Sequence, residues 1–238
     1  MSGPAANLID APGTGESAWR AWPVLGRLPL ADVANWSSAV VVAAHPDDEV
    51  LGVGGTMALL AAAGARLRLV AVTDGESSHG DGADRAALAR RRVTETAAAL
   101  NLLGAGHTEV IRLGLPDTGL ADREAELATR LQELTSGFDV CLAPWRRDAH
   151  ADHEAAGRAS PVSFGYPIWM WHWAYPGDQR VPWHRSVQVP LPPSVAAAKR
   201  AAIQCFTSQF EPRPPLGQPV LTPDTVAHFT RAQEVLLR

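Results

Sequence analysis

Between residues 39 and 143 the apolar positions keep changing period, and each change marks an element. The run Ala39-Val40-Val41-Val42-Ala43-Ala44 is continuous and β-branched, as expected of a strand covered on both faces. An Ala- and Leu-rich stretch over 49–63, closed by Gly64, predicts a helix. Alternation over 66–73 predicts a second strand, and helices over 84–103 and 121–135 bracket a third strand at 108–113. A fourth strand follows at 140–143. Strands alternating with helices of these lengths predict an α/β, Rossmann-like three-layer fold, with a mostly parallel sheet, right-handed crossovers and flanking helices. Beyond Pro144 the pattern predicts a short helix over 150–159 and an alternating strand over 166–173 with Trp169, Trp171 and Trp173 on one face. Helices over 194–206 and 224–237 complete it, the last opened by Thr222-Pro223-Asp224. Residues 1–38 read as an irregular segment, with Trp19, Trp22 and Trp36 as anchors, packed on a single domain spanning 39–238.

Composition changes this picture little. A chain of 238 residues, 46% hydrophobic and 19% charged, can bury a large core in one domain. Its net charge of −4 and its single lysine, Lys199, argue against a nucleic-acid partner. Cys141 and Cys205 are too few for a disulfide framework, which predicts a reducing compartment. The first residues lack a basic start and an apolar core, and no apolar run reaches the ~20 residues of a membrane span. The expectation is a cytoplasmic protein.

The chemistry is expected just after the first strand, where His45-Pro46-Asp47-Asp48-Glu49 follows the apolar run. Open α/β sheets place their sites at the carboxyl ends of strands. His45 and Asp48 are three residues apart across a Pro-started bend and can turn toward one point, with Asp47 on an adjacent direction. A second cluster, His150-Ala151-Asp152-His153, brings further imidazoles. Two histidines and a carboxylate at one point suit Zn²⁺, which in catalytic sites takes three protein ligands and keeps a position open for water. Fe²⁺ can use the same ligands.

These motifs, in order, are similar to those of a known family. Ala44-His45-Pro46-Asp47-Asp48-Glu49, then Leu51-Gly52 and Gly54-Gly55, Val72-Thr73-Asp74-Gly75, Leu115-Pro116-Asp117 and His150-x-Asp152-His153 resemble the PIG-L/LmbE-like family of zinc-dependent N-deacetylases. The resemblance runs from about residue 40 to 157, with a weaker echo at Lys199 to Ile203 and at Ser208-Gln209. It implies His45, Asp48 and His153 as zinc ligands and Asp47 as general base. It makes His150 the group that stabilises the oxyanion or protonates the leaving amine, and gives Asp152 a hydrogen bond that fixes a histidine tautomer. Arg92 would contact the substrate and Asp117 its sugar. The implied substrate is a small acetylated amino sugar such as an N-acetylglucosaminyl conjugate.

Each motif also has a plainer reading. Asp47, Asp48 and Glu49 suit the acid-rich first turn of any helix, Arg92 and Glu95 a surface i,i+3 pair, and Asp117 a turn after Pro116. Gly52, Gly54 and Gly55 start too far after the strand for a dinucleotide loop and suit close approach of helix to sheet. His79 lies in a Gly-rich loop on the substrate side, and the tryptophans could pack or line a sugar wall. The sequence departs from the family where Ala151 replaces a proline, where Asp148 stands in place of a tyrosine, and where few residues separate His153 from Tyr166. An amidase or esterase on a non-sugar substrate, or a sugar-binding module without catalysis, remain the rival functions.

Overall fold

A computed structural model describes residues 8–9, 11–80, 84–213 and 217–238. The elements run α1 (Glu16–Ala21), β1 (Ser38–Ala43), α2 (Asp48–Ala62), β2 (Arg66–Ala71), α3 (Arg85–Leu102), β3 (Glu109–Arg112), α4 (Glu124–Thr135), β4 (Val140–Pro144) and α5 (Ala151–Ala159). Then come β5 (Phe164–Tyr166), α6 (Met170–Trp173), β6 (Ser186–Pro190), α7 (Pro193–Ile203), α8 (Pro223–Ala227) and β7 (Gln233–Leu237), with 3-10 turns such as Leu120–Arg123 between them. Seven strands form one sheet in the order β3-β2-β1-β4-β5-β7-β6. The first five run parallel, while β7 lies antiparallel to both β5 and β6.

The valine run explains the layering. β1 is buried along its whole length, and its pleat sends Val41 to one core and Val40 and Val42 to the other. Val41 joins Met57 and Leu60 of α2, Leu100 of α3 and Ile203 of α7. Val40 and Val42 meet Leu127 and Leu131 of α4 and Ala155 and Ala156 of α5. A strand with helices on both faces has no polar side to show, which is why its sequence is continuous rather than alternating.

Sheet order positions the site. The crossover from β1 leads outward through α2 to β2, whereas the chain returns to β4 on the other flank of β1. The gap beyond the carboxyl ends of β1 and β4 is the point where strand order reverses, the usual crevice for a ligand. Gly157 lets α5 lie directly on β4: a Cβ there would sit 2.4 Å from the Pro144 carbonyl oxygen and 2.9 Å from the Arg146 nitrogen. Four residues after α5 suffice to reach β5, so the short span between His153 and Tyr166 still completes a parallel crossover.

On the other face, α2 is interrupted at Val53 (φ −138°, ψ 19°). The Leu51 carbonyl accepts from Lys199 Nζ at 2.7 Å, while Glu234 accepts from the Gly55 and Thr56 nitrogens at 2.7 and 2.8 Å. Lys199 and Glu234 themselves pair at 2.6 Å. A buried ion pair from α7 and β7 thus satisfies backbone groups that the break releases.

Two expectations are corrected. Residues 166–173 are not one strand: β5 ends at Tyr166 and α6 begins at Met170. The Asp148 carboxylate accepts from the nitrogens of Ile168, Trp169 and Met170 at 3.0, 2.9 and 2.9 Å and so starts a helical turn there. Residues 224–237 are not one helix, because α8 stops at Ala227 and β7 pairs with β6 from Gln233 onward. The strand β6 itself has no place in the pattern read from the sequence. The N-terminal segment packs against α6, with Trp19 fully buried and its Nε1 donating to the Trp171 carbonyl at 2.9 Å. Among the described residues no helix is long and apolar enough to cross a membrane, and both cysteines are free.

Candidate metal centre and active-site cavity

β1 ends in a tight bend that turns the chain into α2. Asp47 takes φ 118° there, a region a non-glycine residue seldom occupies and one that costs on the order of 1–3 kcal/mol. The surroundings hold it in place. Its nitrogen donates to Glu49 Oε2 at 3.1 Å, and its carboxylate receives Arg92 Nη2 at 3.2 Å. The Arg92 guanidinium also donates to the carbonyls of Gly75, at 2.9 Å, and Pro46. Arg92 is therefore no surface pair with Glu95; it is buried, clamps the bend, and still borders the cavity.

The bend brings His45 and Asp48 to one side, and α5 brings His153 to meet them. His45 Nδ1 lies 3.2 Å from His153 Nε2 and 3.6 Å from Asp48 Oδ2; His153 Nε2 lies 3.3 Å from Asp48 Oδ1. Ligands about 2.1 Å from a tetrahedral cation stand roughly 3.4 Å apart, so these three side chains fit one such ion. The opposite ring nitrogens are held by carboxylates. His153 Nδ1 bonds Asp148 Oδ2 at 2.7 Å, and His45 Nε2 faces Asp152 Oδ2 and Asp117 Oδ1, both at 3.2 Å. Carboxylates behind both imidazoles leave the facing nitrogens free for a cation.

Other groupings are close at hand. His45, His150 and His153 also present nitrogens within 4.8 Å of one another, as do His45, Asp117 and Asp152 with their ligand atoms. The second of these uses the far side of His45, where Asp152 already accepts from the Thr118 and Leu120 nitrogens at 2.7 and 3.1 Å and Asp117 from the Ser77 nitrogen at 2.7 Å. His45, Asp48 and His153 border the cavity; Asp152 does not. A catalytic ion needs an open position, and the cavity that His45, Asp48 and His153 all border can supply it, whereas the second grouping includes Asp152. His150 stands at the cavity side, its ring centroid 4.9 Å from that of His45 and 4.6 Å from that of His153, with a buried Nδ1 that has no hydrogen-bond partner among the described residues.

The site histidines and carboxylates shift one another's charge. Burial lowers the His45 pKa, but Asp117, Asp152 and Asp48 outweigh it and raise it well above the ordinary value. His153 is raised in the same way: burial opposes, and Asp48 and Asp148 prevail. Burial raises Asp48, yet the two imidazoles pull it below the usual carboxylate range. Asp47 moves the other way, pushed up to about 7 by burial, against the pull of Arg92 and with the repulsion of Asp48. Burial, then the imidazoles of His153 and His45, press His150 down to about 3, so it is neutral at pH 7.

The cavity, about 240 Å³, has a floor of His45, Asp47, Asp48, Arg92, Asp117, His150 and His153. Its walls are Ser77 and Ser78 after β2, Trp169 and Ile168 before α6, and Gln209, Arg213, Leu221 and Phe229 from the C-terminal region. Of the three tryptophans predicted to share a face, Trp169 alone borders the cavity; Trp171 is buried beside Trp19, and Trp173 stacks on Trp145. His79 is not on the wall, and its Nδ1 meets Ser78 Oγ at 3.0 Å. Asp148, which joins His153 to the start of α6, is a site residue that the sequence motifs leave out. An acid five residues before the second histidine is the available signal, and in the sequence it registers only as a departure from the family pattern.

Comparison with known proteins places this arrangement. The family model described as PIG-L, GlcNAc-PI de-N-acetylase, matches residues 40–162, just over half of the chain. The chain belongs to the PIG-L family. A curated relative, 1D-myo-inositol 2-acetamido-2-deoxy-alpha-D-glucopyranoside deacetylase 1 of Catenulispora acidiphila, is 40% identical over 89 residues, a match covering 33% of this chain and 27% of that protein. The chain thus spans about a quarter of that relative's length. The conserved protein TT1542 of Thermus thermophilus is 30% identical, with a TM-score of 0.53 over 72% of this chain and 79% of that one. The N,N'-diacetylchitobiose deacetylase of Pyrococcus horikoshii shares the fold at 22% identity, with a TM-score of 0.58 over 84% and 82% of the two chains. In this PIG-L chain the family match ends just after α5, so it covers the floor of the cavity and leaves the C-terminal wall outside.

Proposed function

We propose that this PIG-L protein is a metal-dependent N-deacetylase that removes an acetyl or similar small acyl group from an amino sugar, such as an N-acetylglucosaminyl conjugate. The observation that carries the reading is the convergence of His45 Nδ1, Asp48 and His153 Nε2 at 3.2–3.6 Å on the floor of a cavity that also holds Asp47. The donor set suits Zn²⁺, with Fe²⁺ as an alternative. A Zn²⁺ held by His45, Asp48 and His153 would supply activation of water near pH 7 and polarisation of the amide carbonyl.

The remaining steps belong to the chain. Asp47, which borders the cavity beside Asp48, accepts the proton of the attacking water. As charge builds on the acetyl oxygen, the neutral His150 on the cavity floor donates a ring N–H to it. The amine leaves with a proton relayed from Asp47, directly or through His150. Arg92 keeps Asp47 aimed, and Asp152 and Asp148 keep the two ligand imidazoles in the right tautomer. Asp117 stands at the edge of the floor, where a sugar hydroxyl can reach its carboxylate. The relatives named for acetylated sugar substrates support an amino-sugar amide over a peptide-like one.

The test is free-amine release from a panel of N-acetylglucosaminides and N-acyl amino acids by the zinc-loaded protein and its Asp47→Asn variant. The sugars should be hydrolysed, with Asp47→Asn losing about 100- to 10,000-fold in kcat while keeping its metal. Preference for acyl amino acids would move the function to a non-sugar amidase. Unchanged turnover in Asp47→Asn would remove Asp47 as the base.

A further inference from the structure

The cavity carries one charge that the deacetylation chemistry leaves unused. Arg213 stands half-buried on the C-terminal wall, beside Gln209, Val220 and Leu221. Its Nε makes one long bond to the Gln218 carbonyl at 3.4 Å, and no carboxylate among the described residues pairs with it. The nearest acid in sequence, Glu211, is committed: it receives Arg91 Nη1 and Nη2 at 2.8 and 2.7 Å. The carboxylates of the cavity floor are committed too, Asp47 to Arg92 and Asp48 and Asp117 to the site histidines.

We propose that Arg213 is a specificity residue that binds an anionic group, carboxylate or phosphate, on the part of the substrate beyond the acetylated sugar. The inference rests on the deacetylase reading of the same cavity. A guanidinium presents several donors in a plane matched to a carboxylate or phosphate, and burial without a counter-charge strengthens the pull on such a ligand. Burial alone lowers the Arg213 pKa, with no acid opposing it, which agrees with a counter-ion arriving from outside. The apolar side chains of Val220, Leu221 and Phe229 on the same wall offer no competing partner, so a neutral substituent would leave the charge unmatched.

Three N-acetylglucosaminides distinguish the sources of the anion: the methyl glycoside, the carboxymethyl glycoside and the 1-phosphate. The zinc-loaded wild type should favour one or both anionic compounds over the methyl glycoside by about 10- to 100-fold in kcat/KM, carried by KM and reduced by salt. Arg213→Gln should bring that ratio close to one, and Arg213→Lys should keep part of it. Whichever anion is favoured names the group. Equal kcat/KM for all three in the wild type, or a ratio that survives in Arg213→Gln, overturns the proposal while leaving the deacetylase reading standing. If none of the three is hydrolysed, the deacetylase reading fails, and calorimetric titration decides the binding claim separately. N-acetylglucosamine 1-phosphate should then bind the wild type more tightly than N-acetylglucosamine and more tightly than it binds Arg213→Gln. Equal affinities would overturn the role of Arg213.

Discussion

At the scale of single residues, the site depends on carboxylates that never touch the reacting atoms. Asp148 bonds His153 Nδ1 and three backbone nitrogens at the entrance to α6. Replacing it by Asn leaves one acceptor for four donors and a weaker hold on the imidazole. Asp148→Asn should lower zinc affinity about 10- to 100-fold, read by competition with a chromophoric chelator. Affinity equal to wild type would mean that His153 needs no support from behind. His45, Asp47 and Asp48 are legible in the sequence because they follow a valine run directly. Asp148 is not, since its role exists only once residues 168–170 fold back over it. Arg92 is legible as a site residue, but its burial under the Pro46–Asp47 bend is not.

At the scale of elements, the precision of the site is set by how closely α5 lies on β4. Gly157 makes that approach possible, and the atoms it faces are backbone, which cannot turn aside as a side chain can. Gly157→Ala should displace α5, cost about 1–3 kcal/mol of stability and weaken metal binding with it, as calorimetric melts with and without zinc will reveal. A variant melting like wild type in both conditions would contradict the packing described. The same scale explains what the pattern of apolar residues can and cannot foretell. β1 to β4 and their helices repeat regular periods, so their order is readable. The tryptophans from 169 to 173 imitate a strand's alternation, although Asp148 captures the nitrogens there and winds them into α6. In β7, Gln233-Glu234-Val235-Leu236-Leu237 carries a buried acid made tolerable by Lys199 and by the Gly55 and Thr56 nitrogens, and no local pattern reports partners 35 or more residues away.

At the scale of the whole molecule, the N-terminal segment is fastened to the C-terminal region by charge. Glu16 accepts from Arg231 Nε at 2.9 Å and meets His228 Nδ1 at 2.9 Å. Burial raises the Glu16 pKa, but those partners prevail and hold it at about 2, below its ordinary 4.5. A depressed folded pKa means that the stabilisation is complete above pH 4.5 and is lost as pH falls toward 2. Glu16→Gln should therefore melt below wild type at pH 7, with the difference shrinking through that window and gone near pH 2. A difference independent of pH would assign Glu16 a packing role alone. The link matters for function because His228 and Phe229 also border the cavity, so the segment steadies a wall of the site.

The proposed chemistry depends on where a divalent cation binds. Crystals of the zinc-loaded protein, measured on both sides of the zinc absorption edge, test this most directly. A single anomalous peak should lie within about 2.0–2.2 Å of His45 Nδ1, an Asp48 oxygen and His153 Nε2, open toward the cavity. A peak held by His45 Nε2 with Asp117 and Asp152, or no peak at His153, would contradict it.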